Sequence, residues 1–209
     1  MKLIVLYGPA NSGKTTSLKK VYEVLKHINI RETNVFKYLD INFYLDFLDK
    51  LVLNRQLTKN EINECLEKST PEYVPTEYDE NSIENLPTSI PETGEVTLKE
   101  EYRDILVKES KSIEQIEDLL LGIDTEGDYG YKQTRPSLYE RLEELYNKNC
   151  EIIICACTKR NKKKPIQCVI DFVKNYHATA YIIPTSSLPC PNGQKQNVAR
   201  VLSTLSRII

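Results

Sequence analysis

Leu3-Ile4-Val5-Leu6-Tyr7-Gly8-Pro9-Ala10-Asn11-Ser12-Gly13-Lys14-Thr15 passes from an apolar run into a turn bracketed by two glycines. Residues 3–6 suit a strand buried on both faces, and Leu18, Val21, Tyr22 and Leu25 follow at helical spacing. The pattern predicts strand, loop and helix over residues 2–28. A loop at such a junction gathers anions: Gly8 and Gly13 let the backbone fold tightly, so that successive N–H groups and the positive end of the helix converge. Pro9, Ala10, Asn11 and Ser12 complete the cradle. Lys14 is placed to reach β- and γ-phosphates, and the Thr15 hydroxyl to ligate Mg²⁺. On this reading Lys14 is an exposed charge; the alternative is a glycine turn with a surface lysine.

On these residues the chain resembles the P-loop NTPase superfamily, over residues 1–28 and, through recurring strand and helix patterns, over 117–209. The resemblance implies an α/β fold with a mostly parallel central sheet flanked by helices, with ATP and Mg²⁺ as ligands. It further implies that Thr16 touches the α-phosphate and that a carboxylate ending another core strand holds the metal through water. The fold alone names no reaction, since it hosts kinases, hydrolases and motors.

The chain has 209 residues, enough for one α/β domain with a substantial excursion. It carries no signal-like leader and no apolar run of about 18 residues, so the expectation is a cytoplasmic protein without a membrane partner. Six cysteines without a C-x-x-C pair read as reduced, mostly buried thiols. The net charge of -2 is unevenly distributed: residues 61–101 hold twelve acidic and two basic side chains, leaving the rest of the chain basic. An anion-binding core with an acidic excursion fits this asymmetry, as does ordinary surface variation.

Residues 1–40 and 102–209 are expected to form the nucleotide-binding core and 41–101 a helical and loop insertion. Val35-Phe36-Lys37-Tyr38-Leu39-Asp40 reads as a second strand, and Leu45, Leu48, Leu51 and Val52 as a helix face. Thr58 and Glu61 read as a capping box. Residues 69–96, with four prolines and scattered acids, are expected to be a long mobile loop outside the sheet core. Tyr102-Arg103-Asp104-Ile105-Leu106-Val107 is expected to pair antiparallel with Leu119-Leu120-Leu121-Gly122-Ile123-Asp124. Helices opening at Pro136 and Pro165 alternate with strands at 152–157 and 180–183, and a closing helix carries Val198, Val201, Leu202, Leu205 and Ile208. This alternation predicts a parallel sheet with its ligand at the carboxyl ends of the strands.

Asp124 ends the better candidate strand for the Mg²⁺-side carboxylate, with Asp40 as rival. After it, Thr125-Glu126-Gly127-Asp128 places the Gly127 N–H to sense a terminal phosphate, similar to the D-x-x-G element of GTPases. Glu126 or Asp128 is placed to orient a water or accept a substrate proton, against the alternative of a tight turn. Thr158-Lys159-Arg160-Asn161 stands where GTPases carry [N/T]-K-x-D, but Asn161 replaces the aspartate that selects guanine, which favours adenine or an unselective pocket. Lys159, Arg160, Lys162, Lys163 and Lys164 form a basic cluster suited to phosphate, a phosphorylated substrate or nucleic acid. Arg160 is included among the nucleotide contacts; Arg55, Arg103 and Arg135 are further candidates tied to no motif. The sequence Gly-Ile-Asp-Thr-Glu-Gly-Asp followed by a helix and Ile-Ile-Cys-Ala is also similar to a group of small bacterial P-loop ATP-binding proteins, which implies ATP binding and no particular substrate.

The expected activity is Mg²⁺-dependent ATP hydrolysis coupled to a partner or a conformational change. A kinase with the excursion as acceptor-binding segment and a nucleotide-dependent binding module with little turnover are the alternatives. The second substrate or protein partner is not named by any motif.

Overall fold

In a computed structural model the described residues are 1–25, 75–86, 111–116, 119–126, 136–159, 165–188 and 192–209. They build an α/β fold around one mixed, mostly parallel sheet. Strand β1 (Lys2–Gly8) leads to helix α1 (Lys14–Leu25). There follow β2 (Thr76–Tyr78), a 3-10 turn (Ile83–Asn85), β3 (Lys111–Ile116) and β4 (Leu119–Asp124). The rest alternates: α2 (Leu138–Asn147), β5 (Ile152–Thr158), α3 (Pro165–Tyr176), β6 (Thr179–Pro184) and α4 (Asn192–Ile208). The strand order is β2-β6-β1-β5-β4-β3. The four central strands run parallel, and the edge strands β2 and β3 are antiparallel to their neighbours.

The apolar strands alternate in and out of two cores. Ile4 and Leu6 of β1 join Ile152, Ile154 and Ala156 of β5 under α1 and α4, with Leu18, Val21, Val198, Leu202 and Leu205. Leu3, Val5 and Tyr7 point the other way and join Ile153, Cys155 and Cys157 under α2 and α3, with Leu138, Leu142, Phe172 and Val173. A strand covered on both faces requires such continuous apolarity. Cys150, Cys155, Cys157 and Cys168 are buried free thiols. Among the described residues no helix is long and apolar enough to cross a membrane.

Three expectations are corrected. Residues 75–86 are not outside the sheet core: Thr76–Tyr78 pairs with β6, and Ile83 and Leu86 are buried beneath the α3 layer. Two buried apolar side chains without a period suffice when a neighbouring face is already apolar. The Lys174–Glu84 ion pair and the His177–Glu80 hydrogen bond also bind this segment to α3 and its C-terminal end, but they are exposed and contribute little. Ile83→Val is expected to lower stability by about 0.5–1.5 kcal/mol. An unchanged denaturation midpoint would place the segment off the core.

The antiparallel partner of β4 is Lys111–Ile116, while residues 102–107 lie outside the described residues, as do the strand, helix and capping box expected between 35 and 66. Pro165 opens α3 as anticipated, but α2 begins after Ser137 rather than at Pro136. The Ser137 hydroxyl accepts the Glu140 N–H at 3.2 Å, and the Glu140 carboxylate accepts the Ser137 N–H at 2.6 Å. This reciprocal capping box, which holds the Glu140 carboxyl below its usual range, supplies acceptors that Pro136 cannot.

Candidate nucleotide site at the carboxyl edge

Outgoing helices decide where the sheet opens. From β1 the chain turns to the α1/α4 face, whereas from the adjacent β5 it turns to the α2/α3 face. The carboxyl ends of β1 and β5 therefore flank a crevice of the kind in which open α/β sheets hold ligands. Residues 8–15 occupy that edge. Gly8 is opposite Thr158, and its carbonyl accepts the Lys159 N–H at 2.9 Å.

Both loop glycines are required sterically. A Cβ on Gly8 would lie 2.0 Å from the Thr185 Oγ1, and Gly13 has φ +76° with the Gln194 side chain 2.7 Å from the position of a Cβ. Asn11 also adopts a left-handed conformation, φ 61°, one of the few side chains that tolerate it. The first-turn N–H groups of α1, from Lys14 through Thr16, lack intrahelical acceptors by geometry. Thr16 is exposed and Thr15 half-buried on that turn.

Lys14 departs from the expected exposed charge, being only 5 % exposed. Its ammonium donates to the Gly8 carbonyl at 3.2 Å, to the Pro9 carbonyl and to the Ser12 Oγ at 3.3 Å. The charge is thus held over its own loop. The Lys159 ammonium, at the end of β5, is buried with no hydrogen-bond partner among the described residues. Burying a cation without a counter-charge is costly.

Asp124 is fully buried at the end of β4, one strand removed from β1. Its Oδ2 accepts from the Arg141 Nε at 3.0 Å and its Oδ1 from the Glu126 N–H at 3.2 Å. Burial pushes the carboxyl up to about 6, with the Arg141 charge and hydrogen bond opposing it. The next carbonyl, Thr125 O, accepts the Thr15 hydroxyl at 2.8 Å, which ties β4 to the first turn of α1.

No protein-family model matches this chain, and no curated protein or solved structure matches it significantly.

The structure gathers most of the sequence-selected residues at this edge: Gly8 through Thr16 in one loop and turn, Asp124 and Glu126 beside it, Lys159 across from it. Gly127, Asp128, Arg160 and the rival Asp40 lie outside the described residues. Sequence reasoning missed three contributors. Arg141 was legible as a charged residue on an apolar stripe, because Leu138, Leu142 and Leu145 put position 141 on their buried face. Asn197 is buried in α4, accepts the Ser186 N–H at 2.7 Å and donates to the Ser12 carbonyl at 3.5 Å. Gln194 crowds Gly13, and its carbonyl accepts the Ser17 hydroxyl at 3.3 Å. No local signal marks these last two.

The raised Asp124 carboxyl has a consequence for stability. Its ordinary value is 3.8, so between about pH 4 and 6 the folded protein holds a proton that the unfolded chain releases. Stability from this group is therefore present at low pH and declines as pH rises, by up to about 3 kcal/mol. Between pH 4 and 7 the stability of Asp124→Asn relative to wild type should rise by that order, measured by urea denaturation. A pH-independent difference would contradict the assignment.

Proposed function

We propose that the protein binds a nucleoside triphosphate, ATP in the first instance, with Mg²⁺ through a P-loop formed by residues 8–15, and hydrolyses it. The observation that carries this reading is the posture of Lys14, a buried ammonium bent over the carbonyls of a two-glycine loop at a helix N-terminus. Its location at the crevice between β1 and β5 and the buried Lys159 ammonium add support, since both favour an anion there.

The residues fit the implied ligands. Lys14 and the α1 first-turn amides suit phosphate oxygens, with Thr16 next to them. Thr15 gives its hydroxyl proton to Thr125 O, leaving the oxygen lone pairs for a cation. Both Asp124 oxygens are engaged by Arg141 and the Glu126 N–H, so Asp124 suits an orienting role behind a metal better than direct ligation. Mg²⁺, when bound, would neutralise charge on the β- and γ-phosphates. Glu126, half-buried two residues after Asp124, is a candidate among the described residues for orienting an attacking water.

The test is triphosphate binding and phosphate release by the purified chain, with and without Mg²⁺ and a panel of nucleosides, nucleotides and nucleic acids. Metal-dependent release without an acceptor is expected. Transfer to an acceptor would replace hydrolysis by a kinase activity, binding without turnover would leave a binding module, and no binding would remove the reading altogether.

A further inference from the structure

Arg141 is the largest fully buried side chain among the described residues, and its guanidinium donates to three acceptors, two of them in residues 124–126. Nε holds the Asp124 carboxylate at 3.0 Å, Nη1 the Pro136 carbonyl at 2.8 Å and Nη2 the Glu126 carbonyl. The side chain belongs to α2, which covers one face of the sheet, whereas Thr15 belongs to α1 on the opposite face. Residues 124–126 lie between them, gripped by Arg141 at 124 and 126 and bonded to Thr15 at 125.

A buried ion pair of this sort adds little stability over well-packed apolar groups, because desolvation offsets the attraction. Its geometric value is larger. The planar fork fixes a carboxylate and two carbonyls at once, which neither a lysine nor an apolar side chain can reproduce. We propose that Arg141 is a positioning residue for the metal side of the nucleotide site, setting residues 124–126 so that the Thr125 carbonyl takes the Thr15 hydroxyl proton and leaves the Thr15 oxygen oriented toward the cation. The proposal rests on the nucleotide reading above. It assigns to α2, a helix without any residue in the phosphate loop, control over Mg²⁺ affinity and none over metal-independent triphosphate binding.

The experiment uses the full chain, a fluorescent ATP analogue and Mg²⁺ titration. Wild type is expected to bind the analogue and Lys14→Ala to bind it roughly 10- to 100-fold more weakly; absence of binding by wild type would overturn the nucleotide reading and this inference with it. Arg141→Lys keeps the charge but not the fork, so it should raise the Mg²⁺ midpoint at least about tenfold while metal-free affinity stays within about twofold. In a Thr15→Ala background the same substitution should add nothing, since the effect passes through that hydroxyl. A wild-type Mg²⁺ midpoint in Arg141→Lys, or an undiminished effect without the Thr15 hydroxyl, would overturn the proposal and leave the nucleotide reading standing. Should Arg141→Lys fail to fold, ¹⁵N-labelled wild type decides: the Arg141 Nε–H signal of the ATP-saturated protein should shift when Mg²⁺ is added, and a stationary signal would refute the role.

Discussion

Lys14→Ala should weaken triphosphate binding by roughly 10- to 100-fold, the loss of a charge-assisted contact of about 1.5–3 kcal/mol. The fold should survive. The Gly8 carbonyl, which loses the ammonium, still accepts the Lys159 N–H. Binding measured by calorimetry should therefore fall while the thermal midpoint changes little. A variant that unfolds would mean that Lys14 serves the loop and not a ligand, a real alternative because it satisfies two carbonyls and a hydroxyl. Unchanged affinity in a folded variant would contradict the site itself.

Arg141→Met should be strongly destabilising at alkaline pH. It leaves the fully buried Asp124 carboxylate facing an apolar side chain, and breaking a buried pair by removing one partner costs about 3–5 kcal/mol. The Pro136 and Glu126 carbonyls lose their donor at the same time. The loss should be greater at pH 8 than at pH 5, because without the guanidinium the carboxyl moves above its present value of about 6 and takes a proton at the lower pH. Adding Asp124→Asn should recover part of the stability, since the amide carries no charge to strand. Equal losses at both pH values, or no recovery in the double variant, would show that Arg141 contributes by packing alone.

These two outcomes separate the halves of the site. Lys14 belongs to a contiguous stretch of sequence, and its neighbours are set by loop and helix geometry within a few residues. Arg141 acts on a strand end fifteen to seventeen positions away and, through it, on a hydroxyl on the other side of the sheet.

The same division runs through the fold. Local pattern was sufficient for β1, α1, β4, β5, β6 and the three later helices, because each carries its own periodicity, apolar for the buried strands and stripe-like for the helices. It was also sufficient for a turn between β1 and α1, although the space around its two glycines is set by Thr185 and Gln194, distant in sequence. The edge strands escaped it. Thr76–Tyr78 is three residues long and polar, and it exists because β6 offers an unpaired edge while Ile83 and Leu86 find an apolar layer beside it. Strand order likewise needed the tertiary structure: β5 lies between β1 and β4, so Asp124 meets α1 through the Thr125 carbonyl rather than across an adjacent strand. Arg141, Asn197 and Gln194 became site residues only when helices distant in sequence packed against the loop and the strand end. Amino-acid order determines what each segment can bury and where a phosphate-sized turn can form. Which charges share a buried space is decided by packing, since desolvation and hydrogen-bond geometry act between groups that the chain brings together from opposite faces of the sheet.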